Sequence, residues 1–146
     1  MDIRFTNKNV FDVEADAILY FTDNSLIGEK SNELIEKAGN RIIDSIQKLN
    51  GCATGDIKIV PAFNLRQLYI ILSVLPEKID TNIQKELFNN VFIKLFKVLE
   101  EYELDSVVID VSYMQRKYGV EYSVLLNRIV KDKRFNFYDN IVYMSK

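Results

Sequence analysis

The sequence predicts a single α/β domain built on a mixed, largely parallel sheet with helices on both faces. Short apolar runs at residues 15–21, 68–75 and 106–111 read as strands buried on both sides, because a strand covered on one side only would alternate apolar with polar residues. Stretches with helical spacing lie between these runs, and strands alternating with helices imply a sheet covered on both faces. No internal repeat, low-complexity stretch or linker divides the 146 residues, a length that suits one core.

Each element has its own signal. Residues 2–6 alternate Ile3 and Phe5 with polar neighbours, as a half-buried strand does, and the run 15–21 follows as a second strand. From Ser31 the apolar residues Leu34, Ile35, Ala38, Ile42, Ile46 and Leu49 fall at helical spacing. Ser31 is placed to cap that helix, Glu33 complements its dipole, and Gly39-Asn40 is positioned to break it in two. Turns at Asn50-Gly51 and Thr54-Gly55 lead to alternation at Ile57 and Ile59 and then to the buried run 68–75. Thr81 and Gln84 form a capping-box pattern ahead of Phe88, Val91, Phe92, Leu95, Val98, Leu99 and Tyr102, predicting a long amphipathic helix that ends near Glu103. A short strand at 106–111, a helix at 121–131 and a last strand at 140–144 complete the expected order.

Composition narrows the function classes. With 48% hydrophobic and 27% charged residues the chain has an ordinary globular composition. A formal charge of −2 exerts no bulk pull toward nucleic acid or an anionic membrane, so small ligands or proteins are the expected partners. There is no histidine and a single cysteine, Cys52, which removes the usual zinc ligands, the commonest general base and any intrachain disulfide. No metal or cofactor is expected. The segment Met1-Asp2-Ile3-Arg4-Phe5 lacks the charged-then-apolar pattern of a leader, and no run reaches the roughly 18 apolar residues of a membrane span, so a cytoplasmic setting is expected.

In such sheets ligands bind beyond the carboxyl ends of the strands, which points to loops beginning at Thr22, Ser73 and Ser112. The first, 22–30, runs into a helix N-terminus whose free N–H groups attract anions; its plainer reading is a capped loop with solvated charges. The third, 112–119, joins Arg116 and Lys117 to Tyr113 and Tyr118, a set able to clamp a phosphate and stack on a base, or simply to form a surface loop. Asp23 and Asp110 fall at or just past strand ends, where paired carboxylates meeting across a cleft could do acid/base work. Otherwise Asp110 is held by backbone N–H groups or Arg116, and Asp23 opens a turn. Cys52 reads as a packing residue rather than a nucleophile, and the basic residues at 131–134 as a solvated helix end.

Two stretches carry a family resemblance. Residues 14–19, E-A-D-A-I-L, resemble the start of the macro-domain motif D-A-I-V-N-A-A-N, and residues 49–65, L-N-G-C-A-T-G-D-I-K-I-V-P-A-F-N-L, resemble its L-x-G-C-x-T-G-E-A-K-I-T-P-G-Y-N-L segment. Residues 69–76 continue like the family strand Y-V-I-H-T-V-G-P, so the resemblance spans essentially the whole chain, and its compact length is most similar to the small terminal ADP-ribose glycohydrolase type. The resemblance implies a three-layer α/β/α macro-domain-like fold and ADP-ribose or a related nucleotide as ligand.

The resemblance also assigns residues. Asn9 stands where the family has its adenine-reading Asp, so Asn9 and Val10 would take the adenine. In N-A-A-N the first Asn becomes Tyr20, and the ribose-contacting Asn becomes Asp23, or Asn24 in a register slipped by one. The family's glycine-rich diphosphate stretch has shrunk to Gly28-Glu29-Lys30-Ser31, leaving Asn24, Ser25, Gly28, Lys30 and Ser31 around the diphosphate and Glu29 in its space. The second phosphate loop is matched by Ser112 and by Tyr118-Gly119, which with Arg116 would take the distal phosphate and ribose. The catalytic lysine and aspartate of the glycohydrolase type have no counterparts, the lysine region reading Ser73-Val74-Leu75. What this implies is a diverged, non-catalytic binder, a pseudoenzyme. The alternatives are a pseudo-macro-domain for protein contacts, its cleft closed by Tyr20, Glu29, Tyr113 or Arg116, and an ADP-ribosyl hydrolase with a site rebuilt on Asp23 or Asp110.

Overall fold

The most apolar runs occupy the middle of one sheet. In the computed structural model, which describes residues 1–119 and 138–145, six strands are present: β1 (Asp2–Thr6), β2 (Ala17–Phe21), β3 (Ile57–Pro61), β4 (Tyr69–Ser73), β5 (Ser106–Asp110) and β6 (Ile141–Ser145). Their spatial order is β1-β6-β5-β2-β4-β3, with every neighbouring pair parallel except the antiparallel β3 and β4. Strand β2 is paired on both sides, Ala17 facing Tyr69 of β4 and Val107 of β5.

Alternation along each strand sends successive side chains to opposite faces. On one face Ala17, Leu19, Phe21, Ile71, Val107 and Ile109 pack beneath α3 (Asn82–Glu101) and α4 (Val111–Tyr118), which contribute Phe88, Phe92, Leu95, Phe96 and Met114. On the other, Ile18, Ile70, Leu72 and Val108 pack against α1 (Asn32–Ala38), α2 (Arg41–Gln47) and a 3-10 turn at Val10–Asp12. The result is three layers, α/β/α, with a separate apolar core on each side of the sheet. Among the described residues no helix is long and apolar enough to cross a membrane.

Local chemistry sets the helix ends. The capping box read from the sequence is formed: Gln84 N donates to Thr81 Oγ1 at 3.1 Å, and Thr81 N donates to Gln84 Oε1 at 3.0 Å. The long helix stops at Glu101, two residues short of its expected end, because Glu103 adopts a positive φ of 55°. The break between α1 and α2 falls at Gly39, whose φ of 95° suits glycine and where an added Cβ would lie 2.7 Å from Asn64 Nδ2. Strand β2 starts at Ala17 rather than residue 15, because the Asp16 carbonyl accepts from both Leu68 N and Tyr69 N and anchors the turn instead.

One expectation is corrected. Residues 112–119 are not a loop: α4 begins directly after β5, with Asp110 Oδ1 accepting from Tyr113 N at 3.0 Å as its N-cap and Gly119, at φ 64°, closing it. The expected helix at 121–131 and the basic residues at 131–134 lie outside the described residues.

The two cores and the cap make separable contributions to stability. Phe92→Ala, which empties a fully buried ring site under the sheet, is expected to cost about 3–5 kcal/mol. Thr81→Ala, which removes only a cap, is expected to cost about 1 kcal/mol. Urea unfolding of the two variants against the parent chain measures both.

Candidate ligand-binding cleft

Strands β2 and β5 run parallel side by side, and the chain leaves their carboxyl ends in different directions, into the turn at 22–31 and into α4. Together with the 3-10 turn these segments enclose a cleft of about 270 Å³. The 3-10 turn and its cap supply Asn9, Val10 and Phe11; β2 supplies Leu19, Tyr20 and Phe21. Glu29, Lys30 and Glu33 line it from the start of α1, and Asp110, Tyr113 and Arg116 from the junction of β5 and α4.

Hydrogen bonds and ring packing fix these groups. Asn9 Oδ1 accepts from Phe11 N at 3.0 Å and so caps the 3-10 turn. The Tyr20 hydroxyl donates to the Lys30 carbonyl at 2.7 Å, and its ring sits 5.9 Å from that of Phe11. Burial, reinforced by the charge of Glu33, pushes the Tyr20 hydroxyl up to about 12, so the phenol stays neutral and remains a donor. Tyr113 stacks on Phe21 with ring centroids 5.1 Å apart. Its hydroxyl is also raised by burial, with Lys30 pulling the other way. Asp110 Oδ1 accepts from Ser112 Oγ at 2.7 Å as well as from Tyr113 N, and Ser112 Oγ accepts from Arg116 at 3.0 Å. The hydroxyl of Ser112 therefore relays Arg116 to Asp110. Three carboxylates and two cations face one small volume, which leaves the cleft slightly acidic.

The structure brings Asn9, Val10, Lys30, Asp110 and Arg116 together and directs the other sequence-derived candidates elsewhere. Asp23 does not line the cleft and does not face Asp110 across it: its Oδ1 accepts from Ser25 N, Ser25 Oγ and Leu26 N, a side-chain-built turn. The Asn24 amide, preserved in the slipped register, donates to the Cys52 carbonyl at 3.0 Å and to Thr54 Oγ1 at 3.2 Å, tying the post-β2 turn to the segment before β3. Ser25 serves the Asp23 turn, and Gly28 packs against the Asp23 carboxylate. Ser31 is buried and does not cap α1; its hydroxyl donates to the Leu26 carbonyl and meets Thr22 Oγ1 at 2.8 Å. Ser112 stands behind Arg116, the Tyr118 hydroxyl donates to the Pro76 carbonyl at 2.6 Å, and Gly119 ends α4.

Sequence reasoning missed Phe11, Leu19, Phe21 and Glu33 as lining residues. Phe11 and Glu33 carried a usable signal, one following Asn9-Val10 and the other standing three residues after Lys30 at the helix start. Tyr20, Glu29, Tyr113 and Arg116, any of which closes the cleft in the protein-contact alternative, all line it, and what they leave is slightly below the roughly 300–1,000 Å³ of small-molecule sites. Cys52 is buried, and burial together with Asp56 pushes its thiol up to about 11, the reverse of an activated nucleophile. Among the described residues no three Cys, Asp or Glu side chains gather as a metal site.

The chain is a three-layer α/β/α domain that carries a mixed-charge cleft at the carboxyl ends of parallel strands. The chain belongs to the macro domain family, whose sequence profile matches residues 23–111. A macro domain-containing protein of Caldanaerobacter subterraneus subsp. tengcongensis is 31% identical over 112 residues, which cover 72% of this chain and 64% of that protein. Ganglioside-induced differentiation-associated protein 2 of Xenopus laevis is 36% identical over 59 residues, covering 38% of this chain and 12% of that one. The matched stretches thus span less than two thirds of these relatives. Among solved structures, the macro domain of ganglioside induced differentiation associated protein 2 superposes with a TM-score of 0.82 at 21% identity, covering 99% of this chain and 77% of that one. The Trypanosoma brucei macrodomain in complex with ADP-ribose gives 0.80 at 16% identity over 98% and 63% of the two chains. An Oceanobacillus iheyensis macrodomain variant with ADPR gives 0.83 at 16% identity over 98% and 83%.

The turn beneath the cleft is open to a direct test. A Cβ at Gly28 would lie 2.1 Å from Asp23 Oδ2, and the carboxylate is pinned by three hydrogen bonds through its other oxygen. Gly28→Ala is therefore expected to destabilise the parent by about 1–3 kcal/mol and to be much milder on an Asp23→Ala background. Additive effects in that double-mutant cycle would show that the contact does not require glycine.

Proposed function

We propose that this macro domain binds ADP-ribose or a closely related nucleotide in the cleft without hydrolysing it. The carrying observation is the cleft itself, which gathers an apolar turn and its amide, Asn9, Val10 and Phe11, with the cations Lys30 and Arg116 at the carboxyl ends of β2 and β5. Val10 and Phe11 offer an apolar surface to a base, and the Asn9 amide can donate through Nδ2 to a ring nitrogen. Lys30 and Arg116 supply the positive charge a diphosphate requires. Macrodomain structures holding ADP and ADP-ribose share the fold, which supports the same class of ligand here.

The acidic residues set the strength. A carboxylate about 5 Å from a phosphate charge costs of order 1–3 kcal/mol at an effective dielectric between 20 and 80, and Glu29, Glu33 and Asp110 all face the cleft. Binding is accordingly weak, and Glu29 limits it. Neither aspartate named for catalysis is free for it: Asp23 lies outside the cleft, and the Oδ1 of Asp110 already accepts two hydrogen bonds as a helix cap.

Calorimetry with millimolar ADP-ribose is expected to show binding, weakened at least about fivefold by Arg116→Ala and tightened about fivefold or more by Glu29→Gln. No heat at any concentration would sink the nucleotide reading and favour a domain used for protein contacts. Incubation with mono-ADP-ribosylated protein is expected to release nothing; release abolished by Asp110→Ala would establish a hydrolase instead.

A further inference from the structure

The Val10–Asp12 turn has few bonds of its own. Asp12 N donates to the Asn9 carbonyl at 2.9 Å and Phe11 N donates to Asn9 Oδ1, both within one turn of chain. A second tie comes from Gln67, in the connection between β3 and β4. Its Nε2 donates to the Val10 carbonyl at 3.1 Å and to the Val13 carbonyl at 2.6 Å, the residues that open and follow the turn. These contacts bridge 57 and 54 residues of sequence, so they fix the turn to the β3–β4 connection rather than to itself.

Gln67 is an unusual choice for that place. Its side chain is 2% exposed, and its Oε1 is the one buried side-chain polar atom among the described residues without a hydrogen-bond partner. Carbonyl oxygens only accept, so the NH₂ group must face both of them and the amide oxygen must turn away. A buried acceptor left idle is costly. What the amide supplies is its pair of donors. Val10 and Phe11, the residues those donors hold, line the cleft.

We propose that Gln67 is a positioning residue: from behind the 3-10 turn it fixes the Asn9-Val10-Phe11 wall in the geometry that receives the base, without touching ligand. This rests on the reading of the cleft as a nucleotide site. Replacing Gln67 by methionine removes both donors together with the idle acceptor, so the wall loses its ties: the Val13 carbonyl keeps its bond from Ala15 N, and the Val10 carbonyl loses its donor.

The first measurement needs no ligand. In the full chain, amide hydrogen exchange at Phe11 and Asp12 is expected to speed up about tenfold or more in Gln67→Met, while amides in the middle of α3, such as Leu95, keep their rates. Unchanged exchange at Phe11 and Asp12 would overturn the proposal whatever the ligand results. The second measurement uses two ligands: ADP-ribose affinity is expected to fall about tenfold in Gln67→Met, while ribose 5-phosphate, which carries no base, keeps its affinity by NMR titration. Equal losses for both ligands, or none for ADP-ribose, would also overturn it. A parent chain that fails to bind ADP-ribose defeats the nucleotide reading instead, and the exchange result then decides the tie alone. Gln67→Glu guards against misfolding of the first variant. Its carboxylate opposes two carbonyl oxygens, but once protonated it donates to one of them, so protection at Phe11 is expected to return in part as pH falls; protection that does not respond to pH counts against the role.

Discussion

A strand buried on both faces has no side to turn toward water, so any polar group on it must find its partner inside the protein. Strand β2 is such a strand: Ala17, Ile18 and Leu19 are fully buried, and its backbone is paired to β4 on one edge and β5 on the other. Burying one large apolar side chain is worth about 1.5–3 kcal/mol, against about 0.5–1.5 for a typical hydrogen bond, so apolar burial fixes the register and the polar contacts follow. The place left for polar chemistry is the carboxyl end, where β2 runs out of cover. Tyr20 there finds the Lys30 carbonyl, Thr22 finds Ser31, and the Ser73 hydroxyl on the adjacent strand finds the Tyr20 carbonyl. The cleft exists because two such strands, β2 and β5, end side by side.

That same physics decides what could be read from the sequence. Burial on both faces leaves a local mark, an unbroken apolar run, and β2, β4 and β5 were legible for that reason. The capping box at Thr81 and the break at Gly39 are equally local, since each depends on residues within one turn of chain. Helix α4 was missed although Val111, Met114 and Tyr118 follow helical spacing, because two turns carrying Arg116 and Lys117 also satisfy the pattern of a charged surface loop. What tipped the balance was Asp110, the last residue of β5, acting as cap.

The direction of a polar side chain is a longer-range matter. Asn24 was read as a ligand contact, yet its amide is spent on Cys52 and Thr54, 28 and 30 residues away. Ser31 was read as a cap, yet its hydroxyl turns inward to Thr22 and Leu26. Lys30 and Arg116, long side chains at the carboxyl ends of the strands, do line the cleft. Short polar side chains take whichever direction their tertiary neighbours settle.

These placements describe a change of occupation at the family's contact positions. Where the resemblance sets the first amide of N-A-A-N, Tyr20 uses its hydroxyl on the backbone of Lys30, and because burial holds the phenol neutral up to about 12, that bond persists throughout the physiological range. Where it sets the second amide, Asp23 builds the turn and Asn24 staples it to the segment before β3. Asp23 and Asn24 thus serve the scaffold, while Tyr20 both lines the cleft and ties β2 to the segment carrying Glu29 and Lys30. The positive charge that faces the cleft is carried by Lys30 and Arg116, and Glu29, Glu33 and Asp110 oppose it. The apolar turn is held by Asn9 from within and by Gln67 through the Val10 and Val13 carbonyls, so Val10 and Phe11 stand in the cleft wall through bonds made by residues on two distant stretches of chain.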